Sequence, residues 1–266
     1  MSQRLRDQFA KGKAEGRPLF VGYVTGGYPD PSETVGILLA MQAGGTDVIE
    51  MGVPFTDPLA DGATIQHANQ IALGRGMSLR RCFELVAEAR TAGLTVPVLL
   101  MGYDNPIVAF GEERAAETAR ASGVDGFIIV DLPPEEAGRF LAACKANDQS
   151  FVPLVAPTTT DKRIPLLAAV ADAFIYCVSV TGTTGSKSAD PKELAAFIAR
   201  VRSHTSLPLA VGFGVRKRED VAAIGKIAEA AVIGSAIIGA IDAAAAGEHA
   251  QRVKEFVEDV TGHKRA

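Results

Sequence analysis

Three successive segments, Phe127–Asp131 (FIIVD), Glu135–Asp148 (EEAGRFLAACKAND) and Phe151–Pro157 (FVPLVAP), decide how the chain is read. The outer two are short, rich in Val, Ile and Phe, and apolar at consecutive positions. Strands of a parallel sheet covered on both faces have this character. The middle segment carries a helical pattern. Strand, helix and strand in that order form a βαβ unit.

Working outward, the same kind of run recurs as LFVGYVTG from Leu19, TDVIEMG from Thr46, VPVLLMG from Val96, FIYCVSV from Phe174, LPLAVGFG from Leu207 and AAVIGSAII from Ala230. Pro97, Pro153 and Pro208 fall at or near strand starts, where a missing N–H is tolerated. Helical patterns lie between the runs, such as SETVGILLAMQAGG from Ser32 and PKELAAFIARV from Pro191, the latter opened by Asp190 as a cap. Strand centres at Val21, Val48, Val98, Ile128, Val152, Ile175, Leu209 and Val232, with no break in composition, predict one domain over residues 1–266. The expected fold is α/β, a single (β/α)8 barrel of the TIM type with a short N-terminal helix (Leu5 and Phe9 on one face) and extra helices after strands 2 and 8. A doubly wound open sheet is the alternative.

The chain of 266 residues is 47% hydrophobic and 22% charged, with a net charge of −4, which speaks against a nucleic-acid partner. Cys82, Cys144 and Cys177 are an odd number and read as reduced thiols. The N-terminus is charged throughout, and the longest mostly apolar stretch, Ala230–Ile241, is too short to span a bilayer, so no membrane partner and a cytoplasmic location are expected. There is no tryptophan.

The two longest gaps between strands follow the second and sixth runs, on the face where barrels place their chemistry. Glu50 interrupts the second run at its C-terminal end and reads either as a salt-bridge partner or as a carboxylate facing the catalytic mouth. Asp61, in the loop that follows, is either a turn residue before Gly62 or a second carboxylate. Glycines after the last three strands, in Thr183-Thr184-Gly185-Ser186, Gly212-Phe213-Gly214 and Gly234-Ser235, permit tight turns. Their occurrence in three consecutive loops favours a phosphate cradle with a short helix beginning near Ser235. The four histidines lack ligand spacing, and the predicted strands hold no lysine, which disfavours metal-dependent and Schiff-base aldolases.

Glu50–Gln66 (EMGVPFTDPLADGATIQ) closely resembles the signature of tryptophan synthase alpha chains. The resemblance extends through Tyr23–Pro29 (YVTGGYP), Met101–Ile107 (MGYDNPI), Val130–Glu136 (VDLPPEE), YCVSVTGTTG from Tyr176, GFGV from Gly212 and IGSA from Ile233. It implies a lyase that cleaves indole-3-glycerol phosphate to indole and glyceraldehyde 3-phosphate. It also implies no cofactor in this chain and a beta-chain partner that carries pyridoxal phosphate, in an alpha2-beta2 heterotetramer. By the same resemblance Glu50 is the mobile acid/base and Asp61 stabilises the ring nitrogen. Tyr23, Tyr103, Asp131, Tyr176 and Thr183 line or close the substrate pocket, and Gly185, Gly214, Gly234 and Ser235 hold the phosphate. Tyr23 and Val180 depart from residues found there in other members. The loops at Thr56-Asp57-Pro58 and Asn105-Pro106 match beta-chain contacts. A lyase acting alone and a silent regulatory barrel are the alternatives, and the presence of both Glu50 and Asp61 weighs against the second.

Overall fold

The computed structural model describes residues 2–178, 190–212 and 214–262. Among them, nine parallel strands form one sheet: β1 Leu19–Thr25, β2 Val48–Gly52, β3 Val98–Gly102, β4 Gly126–Ile129, β5 Ser150–Phe151, β6 Leu154–Val155, β7 Ile175–Val178, β8 Leu209–Gly212 and β9 Ala230–Ile233. Their order is β5-β4-β3-β2-β1-β9-β8-β7-β6. β5 and β6 are two halves of a single stave. The first pairs with β4 and the second with β7. Between them the Val152 N–H donates to the Phe127 carbonyl (2.9 Å), and the Pro153 carbonyl accepts from the Tyr176 N–H (3.0 Å). Residues 150–155 thus bond to both neighbours and close eight staves into a barrel. Pro153, expected near a strand start, directly precedes β6 and parts it from β5, because it has no N–H for the ladder.

The helices are α1 Gln3–Glu15, α2 Thr34–Gly44, α3 Ala63–Gly74, α4 Leu79–Thr91, α5 Asp104–Phe110, α6 Glu112–Ser122, α7 Gly138–Ala146, α8 Ile164–Val170, α9 Pro191–Arg202, α10 Arg218–Ile224, α11 Ser235–Asp242 and α12 His249–Thr261. The N-terminal helix and the extra helices after the second and eighth staves are where the sequence places them. Asp190 caps α9 through the Lys192 N–H (2.8 Å). Asn105 and Pro106, read as a loop, lie inside α5. Proline is accepted there because the first helical turn has no intrahelical use for its N–H.

The runs that look apolar on both faces alternate between two environments. Val21, Val48, Leu99, Ile128, Val152, Tyr176, Ala210 and Val232 fill the barrel interior, while Phe20, Ile49, Leu100, Phe127 and Val211 pack under the helices. Leu5 joins the interior cluster from α1 with no exposed surface, and Phe9 packs on Phe174 at 5.2 Å, so α1 seals the N-terminal end. Two fully or nearly fully buried aspartates fasten that seal. Asp47 accepts from both Arg17 guanidinium N–H groups (2.6 and 2.8 Å), Gln8 (2.6 Å) and the Phe20 N–H (2.9 Å). Asp125 accepts from Ser2 (2.6 Å), Arg4 (3.2 Å), Arg90 (2.8 Å) and the Val98 N–H (2.9 Å). The end where the strands finish is left for chemistry.

Candidate active site

Strand alternation that puts Val48 inside the barrel puts Glu50 there too, beside Tyr23 in the β1–β2 register and Leu99 in the β2–β3 register. Glu50 has no exposed surface, and neither carboxyl oxygen finds a hydrogen-bond partner among the described residues. Burial pushes its carboxyl up to about 8, so at neutral pH it is mainly the uncharged acid. The salt-bridge reading of Glu50 finds no support: no ion pair holds it among the described residues.

Asp61 reaches the same region from the loop after β2. Its N–H closes a turn onto the Pro58 carbonyl (3.0 Å), and Gly62 then begins α3. The carboxylate accepts from Asn69 Nδ2 (3.1 Å). Burial pushes Asp61 up to about 6, against the opposing pull of hydrogen bonds from Asn69 and Tyr103, so it is mainly ionised at neutral pH. Two acids with opposite protonation states therefore share one buried site.

Three phenols surround them. Tyr23 (5% exposed) bonds Thr25 Oγ1 at 3.3 Å, and its ionisation is raised by burial and then by the charge of Asp61. Tyr176 is raised by burial and by Glu50. Tyr103 is raised by burial and by Asp61; it accepts from the Ala60 N–H (2.9 Å) and stacks on Phe55 at 5.1 Å, tying the Asp61 loop to the end of β3. Two glycines make room for these rings. A Cβ on Gly52 would fall 2.1 Å from the Tyr23 hydroxyl, and one on Gly212 would fall 2.5 Å from that of Tyr176.

Gly234 lies against Tyr23, its position for a Cβ 3.4 Å from the Tyr23 ring, and Ser235 opens α11. Gly214 follows β8 at φ +62°, a left-handed conformation that favours glycine. The two loops thus flank the acids at the same barrel end. Asp131 is not part of the buried group: it is exposed, accepts from the Asp104 N–H (2.8 Å) at the start of α5, and acts on Tyr103 only by its charge. Thr183, Gly185 and Val180 lie outside the described residues. Sequence reading missed Asn69, which carries no motif of its own. Its position eight residues after Asp61, on the buried face of α3 with Ile65 and Ala72, was the available signal.

The family model for the tryptophan synthase alpha chain matches residues 9–266. The chain belongs to the tryptophan synthase alpha chain family. It is 45% identical over 259 residues to the tryptophan synthase alpha chain of Roseiflexus sp. (strain RS-1), covering 97% of this chain and 99% of that one. It is 48% identical over 261 residues to the tryptophan synthase of Saccharomyces cerevisiae, covering 98% of this chain but 37% of that longer protein. Among solved structures, tryptophan synthase subunit alpha from Legionella pneumophila superposes with a TM-score of 0.91 at 31% identity, covering 98% of both chains. As a member of the alpha chain family, the protein is a carbon–carbon lyase of tryptophan biosynthesis acting on indole-3-glycerol phosphate.

Proposed function

We propose that Glu50 and Asp61 carry out the retro-aldol cleavage between them. The observation that carries this reading is that both are buried in one site, Glu50 with no partner for its carboxyl among the described residues and Asp61 hydrogen-bonded by Asn69, which favours the acid in one and the carboxylate in the other. The uncharged Glu50 acid donates its proton to indole C3, and the ring becomes an indolenine with positive charge at nitrogen. The Asp61 carboxylate stabilises that charge. Glu50, now a carboxylate, takes the proton of the side-chain hydroxyl as the C3–carbon bond breaks. The electron pair of that bond returns to the ring, giving indole and the aldehyde, and Glu50 ends as it began. Tyr23, Tyr103 and Tyr176 wall the ring, and Gly214, Gly234 and Ser235 present backbone N–H groups to the phosphate.

The chain acts as one barrel unit in the cytoplasm and needs no cofactor of its own; pyridoxal phosphate belongs to the beta chain of the family. The mouth offers a surface for that partner in an alpha2-beta2 assembly. Leu59 (89% exposed) and Val108 (57% exposed) stand out of the Thr56-Asp57-Pro58 loop region and α5, the segments that match beta-chain contacts.

The test is a coupled assay for glyceraldehyde 3-phosphate, run with and without a beta chain. Glu50→Gln and Asp61→Asn should each lower turnover by at least a hundredfold while leaving substrate-analogue binding within a few fold. The kcat/KM profile of the unaltered protein should be bell-shaped, with limbs near 6 and 8. Near-normal cleavage by Glu50→Gln would refute the assignment.

A further inference from the structure

We propose that Asn69 is a positioning residue for the lyase reaction: its side-chain amide, 2% exposed on α3, holds the Asp61 carboxylate in place and ionised through the 3.1 Å bond from Nδ2 to Oδ2. The inference rests on the role given to Asp61 above. α3 grips the aspartate twice, because Gln66 Nε2, one turn before Asn69, donates to the Asp61 carbonyl (2.9 Å). One contact fixes the backbone and the other the carboxylate, both from a single rigid element.

The surroundings of Asp61 make that amide decisive. Among the described residues the charge of Asp61 acts on Tyr23 from β1, Tyr176 from β7 and Tyr103 at the end of β3, none of which is a cation, and Glu50 from β2 acts on two of the same phenols. Burial favours the uncharged acid, and the forces that oppose it are hydrogen bonds from Asn69 and Tyr103. Asn69 is a neutral donor, so it favours the carboxylate without neutralising it, and leaves the negative charge available to a cationic ring nitrogen. Its own Oδ1 is buried and finds no partner among the described residues.

The experiment is kcat/KM for indole-3-glycerol phosphate cleavage against pH, for the unaltered chain, Asp61→Asn, Asn69→Ala and the isosteric Asn69→Asp, with thermal unfolding of each. In Asn69→Ala the acid limb should rise by about one pH unit, because a charge-assisted hydrogen bond is lost. In Asn69→Asp it should rise further, because a second acid opposes the first. A limb that stays in place in both variants overturns the proposal, even if activity falls, since a merely structural asparagine lowers kcat/KM at every pH equally. If the unaltered chain has no acid limb, or Asp61→Asn retains it, the role of Asp61 fails instead, and the two failures are distinguishable.

Discussion

Glu50 shows how one residue can set a stability cost for chemistry. In the unfolded chain its carboxyl titrates near its ordinary value of 4.5, and in the folded chain burial pushes it up to about 8. Between these values the native state binds the extra proton, so stability is highest at the acid end of the window and declines as pH rises toward 8. Glu50→Gln has no proton to lose. From pH 5 to pH 8 the unaltered protein should lose about 3–4 kcal/mol more unfolding free energy than Glu50→Gln, measured by urea denaturation. Parallel declines would show that Glu50 is not held as the acid. At this scale the sequence was informative about Glu50, a charge inside an apolar run, because burying a carboxyl in a strand is rare enough to stand out. For Asn69 it offered only a place on the apolar face of α3, because an asparagine in a helix resembles many that face water, and the fold is what shows that it faces Asp61.

At the scale of the element, α1 and the fifth stave mark what local pattern can and cannot reveal. The i, i+4 pair Leu5 and Phe9 announced a helix with one apolar face, and that face is what plugs the barrel. The aspartates that hold it were not legible, since their partners lie far away in sequence: Asp47 is 30 residues from Arg17 and Asp125 is 121 from Arg4. Asp47→Ala would leave the Phe20 N–H without its acceptor and Arg17 with only Glu15 and the Pro18 carbonyl. It should destabilise the protein by about 3 kcal/mol in denaturant titration. Lyase kcat/KM should remain near normal below the unfolding transition, because Asp47 sits at the end away from Glu50. A large loss of activity in the folded variant would mean that the two barrel ends are coupled. The split of the fifth stave was hidden for a different reason: Pro153 at a strand start and Pro153 within a strand look the same until the neighbours on either side are known.

Across the whole molecule the absence of tryptophan leaves four tyrosines, and every one is buried: Tyr23, Tyr28, Tyr103 and Tyr176 are 5–8% exposed. All four are raised above the ordinary phenol value of 10, Tyr28 to about 12 by burial and its bond to Asp242. In an unfolded chain they ionise near 10, so above that pH each phenol favours unfolding. In an alkaline titration, tyrosinate absorbance should therefore stay flat through pH 10 and appear in one cooperative step together with loss of the far-ultraviolet helical signal. A gradual rise through pH 10 in the folded protein would show that at least one phenol is open to water. The eight-stave architecture itself was readable because continuous Val- and Ile-rich runs recur between helices, and this pattern has few other solutions. The closure at residues 150–155 also has a bearing on solubility. Traced through its hydrogen bonds, the sheet is a strip whose two outermost strands are β5 and β6, and these are consecutive pieces of the same backbone. The strip therefore ends on itself. Among the described residues a second chain seeking to add a strand finds no free margin of this sheet, and Pro153 withholds a donor at the joint between β5 and β6.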